Sequence, residues 1–167
     1  MSSPWCTICA CTPHAPGRSR AIDRLACAAS FAAASDEALV LAAMRQARIS
    51  IWQVTDYYYE GGLVVCDMLR GGEAWLMDEA MTASCPADFR FVGRLFMPED
   101  FAMSSGVLVP FDENLAAALE ESMPPAFRAL ERPAAAGDYR FAQAAYRAAV
   151  ATNAMECVRF ADTELAA

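Results

Sequence analysis

Lysine is absent from this 167-residue chain: all 13 basic residues are arginine, and His14 is the sole histidine. Without lysine there is no amine nucleophile for Schiff-base catalysis. A P-loop lacks its phosphate-binding lysine and a protein kinase its strand lysine, and biotin or lipoate has no attachment point. A single imidazole cannot form the paired histidines of H-E-x-x-H zinc enzymes, and it leaves one such group for all acid–base chemistry.

Long apolar runs are also missing. No stretch approaches the ~20 residues that a membrane helix needs, and the alanine-rich segment 25–35 is closed by Asp36 and Glu37. The N-terminus does not combine a basic start, an apolar run and a small-residue cleavage site, so no secretory signal is expected. Clustered positive charge is lacking too. The net charge is −8, and after residue 47 acids outnumber arginines in both the middle and the last third of the chain. Phosphate neutralisation by grouped basic residues underlies non-specific nucleic-acid binding, so neither nucleic acid nor a membrane is an expected partner.

What is present suits a folded core: 56% of residues are hydrophobic and 20% charged, far from the composition of disordered chains. Seven cysteines at positions 6, 9, 11, 27, 66, 85 and 157 are odd in number and irregular in spacing. They read as reduced thiols, a metal site being the alternative for some of them, rather than as a disulfide framework, which points to the cytoplasm.

Residues 1–20, with three prolines around the first cysteines, read as a cysteine-containing tail. Residues 21–167 read as one α+β domain: helices over 21–47, strands over 48–111, helices over 112–167. Ser35 is placed to cap a helix whose first turn carries Asp36 and Glu37. Ile22, Leu25, Leu39, Val40, Ala43, Met44 and Ala47 are expected inward. From Ile49 the hydrophobic period changes to two, putting Ile49 and Ile51 on one face and Trp52 and Val54 on the other. Strands at 63–68, 73–78, 89–96 and 102–109 follow, separated by Gly61-Gly62, Gly71-Gly72 and Pro86-Ala87-Asp88, with a bulge or bend at Ser104-Ser105-Gly106. Five short strands with no crossover helix between them predict a small antiparallel β-barrel or curled meander. Asn114–Ser122, a short helix opened by Pro125, and a long helix from Gly137-Asp138 complete the pattern.

Several groups of residues invite chemistry. Cys6, Cys9, Cys11 and His14 place three thiols and the imidazole within nine residues. Thiolate and imidazole in tetrahedral array are what structural zinc requires, although the spacing is not that of a standard zinc knuckle. A Cys–His nucleophile drawn from the same cluster would need an oxyanion hole that a tail does not supply. The pairs Asp78-Glu79 and Glu99-Asp100 could in principle run carboxylate-based hydrolysis. Each ends an expected strand, where solvated turn acids are ordinary and adjacent residues face opposite ways. The glycine pairs read as hairpin turns, since no helix follows to form an anion site. Tyr57, Tyr58 and Tyr59, with Trp52 and Trp75, are either sheet packing or an aromatic patch for a partner or a second copy of the chain.

The segments ARISIWQV, GGLVVCDMLRGGEAWLMDEA and FRFVGRLFMPEDFAMSSG, between Ala38 and Gly106, resemble a module of uncharacterised bacterial proteins. Some of those carry a SecA-C-terminal-type zinc motif. The resemblance covers about 70 residues and implies no activity; of that motif only Cys9-x-Cys11 has a counterpart here. The leading expectation is therefore a non-enzymatic cytoplasmic binding or interaction module, its partner a protein or itself, requiring no cofactor. The alternatives are a zinc-binding structural or regulatory protein and, more remotely, a carboxylate-based hydrolase. A pocket joining Asp67, Asp78 or Glu79 to Cys66 or an arginine would favour the last.

Overall fold

The longest strand, β1 (Arg48–Tyr57), runs through the middle of the sheet in the computed structural model, which describes residues 19–125, 134 and 139–154. It pairs antiparallel with β2 (Leu63–Asp67) on one side and β4 (Arg90–Phe96) on the other. Outside these lie β3 (Glu73–Leu76) and β5 (Met103–Pro110), giving the order β3-β2-β1-β4-β5. Among the described residues there are five helices: α1 (Ala21–Ala28), α2 (Asp36–Arg45), α3 (Glu79–Ser84), α4 (Glu113–Ser122) and α5 (Tyr139–Ala151). None is long and apolar enough to cross a membrane.

Alternation along β1 divides the core in two. Ile49, with Val92 of β4 and Val107 and Val109 of β5, packs against Leu115 and Leu119 of α4 and Phe141, Ala145 and Ala149 of α5. Trp52 and Val54 point the other way, into a cluster with Leu63, Val65, Leu76, Phe91, Leu95, Met81 and Ala102. Each large side chain so buried contributes ~1.5–3 kcal/mol. At the start of β1, Ala43, Ala47 and Phe96 form a third cluster under α2. Ser35 caps that helix, its hydroxyl accepting from the Ala38 amide at 3.3 Å. Asp23 bonds to Arg20 at 2.7 Å and to Arg45 at 3.1 Å, tying α1 to the last turn of α2.

The structure departs from the sequence expectation in its connections. β3 does not turn into the next strand by a hairpin. Instead Asp78 accepts from the Met81 amide at 3.0 Å and starts α3, which delivers the chain across the sheet to β4, beside β1. The sheet is open, not a closed barrel. Its two outer strands form no ladder; Ala102, just before β5, makes a single parallel bridge to Leu76, donating to Trp75 O at 2.6 Å and accepting from the Met77 amide at 2.9 Å. The irregularity foreseen near Ser104–Gly106 is present as a register shift opposite Gly93–Leu95, with Gly106 at φ +89°. Two leucines expected inward are exposed, Leu25 by 50% and Leu39 by 40%, because α1 and α2 cover only the edge of the sheet near Phe96. The helix expected at Pro125 and the start expected at Gly137-Asp138 lie largely outside the described residues.

Candidate interaction surface

The end of β1 is where aromatic side chains collect. A register shift between Val54 and Asp56 carries the strand into a turn in which the Tyr58 amide donates to Gly62 O at 3.1 Å and the Gly61 amide to Tyr58 O at 2.9 Å. Gly61 and Gly62 have φ of +101° and +97°, a region that costs glycine little and other residues a good deal. The Trp75 indole sits against this turn, its Nε1 donating to Gly61 O at 2.7 Å. From there the rings form a row. Tyr58 lies 4.4 Å from Trp75 and 4.8 Å from Tyr59 between centroids, and Phe101 meets Trp75 edge-on at 6.2 Å. Pairs at such spacings attract beyond their area burial.

Tyr59 is 84% exposed at one end of this row, and Tyr58, Trp75 and Phe101 are half-buried. Met77 and Met103, flanking the Leu76–Ala102 bridge, are exposed as well. Tyr57 takes another course. Its hydroxyl donates to Cys85 O at 2.8 Å, fastening the end of β1 to the C-terminus of α3. The three tyrosines therefore divide, two into the row and one into a structural tie.

The surroundings are acidic. Glu60 follows Tyr59, Asp100 precedes Phe101, and Glu73 shares a sheet face with Trp75, two residues on; all three are exposed. The ion pairs of Asp23 with Arg20 and Arg45, and of Asp67 with Arg70, involve none of these three acids. Hydrogen bonds to the Glu60 carboxylate and to Tyr58 push the Tyr59 phenol above its ordinary pKa.

Other expected sites fare differently. Cys6, Cys9, Cys11 and His14 lie outside the described residues. Among those described, no three His, Cys, Asp or Glu side chains group as metal ligands, and Cys27, Cys66 and Cys85 are free thiols. Burial raises the pKa of the Cys85 thiol. Asp67 does stand beside an arginine, in a cleft of about 320 Å³ floored by Trp52 and Leu95. Its oxygens are occupied, however. Oδ1 accepts from the Ser50 hydroxyl and from the Leu69 and Arg70 amides at 3.0 Å, and Oδ2 from Arg70 at 3.3 Å. That geometry holds the β2–β3 turn. Asp78 is the α3 cap, and Glu99 and Asp100 are exposed. Trp52, named with the aromatic patch, is buried with its Nε1 donating to Gly93 O at 3.1 Å. Phe101 was not anticipated, because only the bridge at Ala102 brings it to β3.

Residues 19–148 match a family of unknown function, DUF7986. The chain belongs to this family. The match takes in all five strands and the whole aromatic row, and it agrees with the resemblance to uncharacterised proteins. It begins after the cysteine cluster and carries no zinc motif. No curated protein and no solved structure is significantly similar to the chain. Family membership thus assigns no activity.

Proposed function

We propose that this chain is a non-enzymatic interaction module of the bacterial cytoplasm, a cysteine-containing tail followed by one α+β domain, and that the row Tyr59–Tyr58–Trp75–Phe101 is its contact surface. The observation that carries the reading is the row itself. Four aromatic rings run in sequence from an 84% exposed tyrosine to a phenylalanine beside the outer edge of β3, under an acidic rim. Aromatic side chains bury large area at little conformational cost and dominate protein contacts. The carboxylates offer less to chemistry, since Asp67 and Asp78 are engaged by local backbone amides.

A photo-crosslinking residue at position 59 tests this in cells, with Ala117 on exposed α4 surface as the control position. Discrete protein adducts are expected from position 59 and not from 117, and they should fade when Phe101→Ser is added. Equal labelling at both positions would remove the reading.

A second reading follows from the ligand chemistry of Cys6, Cys9, Cys11 and His14: a zinc site that organises the tail, the three thiolates and one imidazole making a tetrahedral set. Elemental analysis of the purified full chain decides it. One equivalent of zinc, lost on Cys9→Ser, is the expected result; less than about half an equivalent, with none lost on purification, ends it.

A further inference from the structure

We propose that a groove beside α2 binds the C-terminus of a partner protein: a free carboxylate on an apolar final residue, with basic side chains upstream. The site stands apart from the aromatic row and does not rest on it. Its first wall is the face that α2 leaves open. Val40, Ala43, Met44 and Ala47 turn toward Phe96, whereas Ala38, Leu39 and Ala42, three and four residues apart, form a second stripe along the helix. Met97 and Pro98, in the connection from β4 to β5, make the facing wall of a groove of about 560 Å³. Leu39, 40% exposed, and Met97, 48% exposed, both line it. At Gln46 and Met97 the groove runs on into the cleft of about 320 Å³ over Trp52 and Leu95, those two residues lining both cavities.

Charge changes sign along this path. In the cleft, alternation along β1 puts Arg48 on the sheet face of Ser50 and Trp52. Asp67 lies there too, but Arg70 meets its charge, and the Ser50 hydroxyl and two amides meet its oxygens. Glu73 borders the cleft from a strand position that shares the opposite face with Trp75. Arg48 makes no ion pair among the described residues, so one guanidinium stands uncompensated beside an apolar floor. A carboxylate suits it, pairing through two parallel hydrogen bonds. At the other end of the groove Asp36 and Glu99 line the two walls, both exposed and both without an ion pair among the described residues.

A ligand lying along the path therefore needs negative charge at the Arg48 end, apolar side chains between, and positive charge at the Asp36 end. A chain terminus supplies that order. Its α-carboxyl is ionised at neutral pH, and capture of a terminal carboxylate is an established mode of peptide recognition. The 10 residues of α2 span ~15 Å, the run of about four or five residues of extended chain. Basic residues are thus needed at that distance upstream of the terminus.

Fluorescence anisotropy of the full chain with a labelled synthetic peptide tests the proposal. The peptide carries two arginines, three alanines and a final leucine in that order, with a free carboxylate. It should bind with a dissociation constant below about 100 μM. Amidation of the carboxylate, or reversal of the sequence, should each weaken binding at least about tenfold, equivalent to ~1.4 kcal/mol. Both arms use the wild type, so neither depends on a variant that folds. Arg48→Glu should weaken the free acid as much and no longer distinguish it from the amide. Glu99→Arg should weaken it too, and Ala42→Trp, filling the groove from an exposed helical position, should abolish binding. Arg147→Glu, on exposed α5 surface, should change nothing. Tyr59→Ser should also leave peptide binding intact, which separates this site from the aromatic row. Equal binding of acid and amide overturns the proposal. So does no binding at about 1 mM, the result expected if a segment of the chain itself fills the groove. Octanoate that displaces the peptide at equal concentration would give the cleft to a small acid instead, and a dimer lost on Arg48→Glu in sedimentation would give it to a second copy.

Discussion

Gly62 and Trp75 are built around each other: a Cβ added at Gly62 would come within 2.7 Å of the indole nitrogen and 2.6 Å of Leu76 O. The same nitrogen donates to Gly61 O, so the turn both supports the indole and leaves no room for a side chain beneath it.

Gly62→Ala is therefore expected to destabilise the fold by ~2–4 kcal/mol, combining left-handed strain with overpacking against backbone. Gly61→Ala, at a similar positive φ but with nothing within 4 Å, should lose only ~1 kcal/mol. Denaturant unfolding of the two variants gives the comparison. Equal losses would mean that the indole moves aside at no cost.

Asp67→Ala should lower stability by ~3 kcal/mol, because it leaves the Leu69 and Arg70 amides and the buried Ser50 hydroxyl without their acceptor. Asp67→Asn keeps the shape and one acceptor oxygen, and it should recover part of the loss. A catalytic Asp67 would show the reverse pattern, activity falling in both variants while stability held. Thermal unfolding of the pair distinguishes the two roles.

How far these features were legible in the sequence depends on the range of the interaction behind each. The division of β1 into an isoleucine face and a Trp52–Val54 face follows from period-two alternation, and the Ser35 cap from local chemistry; both are as expected. Asp78 and Glu79 were read as turn acids, whereas Asp78 is a cap. A six-residue helix is too short to show a hydrophobic period, and its cap resembles a turn acid. With α3 missed, the return of β4 to β1 was missed as well, since only a connection with some reach could carry it there. The aromatic row was half visible. Tyr58, Tyr59 and Trp75 lie on either side of one hairpin, but Phe101 joins through a bridge between residues 26 apart, Leu76 and Ala102, that no local pattern encodes.

The Asp23 linkage predicts acid sensitivity at one place. Its hydrogen bond to Arg20, reinforced by Arg45, lowers the carboxyl pKa from 3.8 to about 2. A depressed folded-state value means that the stabilisation is whole above the unfolded value and is lost as pH falls from near 4 through about 2. The pair is surface-placed, so the effect should be local. Amide exchange of residues 21–28 should quicken across that window relative to the sheet, and Asp23→Asn should remove the pH dependence. An unchanged profile in the variant would place the acid-sensitive group elsewhere.

Tyr59 carries the corresponding prediction at high pH. Its phenol is held above the ordinary value of 10.0 by the Glu60 carboxylate first and by Tyr58 second, both of which oppose the phenolate. A raised folded-state pKa means that whatever these contacts contribute is present below the unfolded value and lost as pH rises through the folded one. Glu60→Gln removes the carboxylate while keeping a hydrogen-bonding side chain, so ultraviolet titration should show one tyrosine ionising at lower pH than in the wild type. Tyr59→Phe should delete that same late transition, which assigns it.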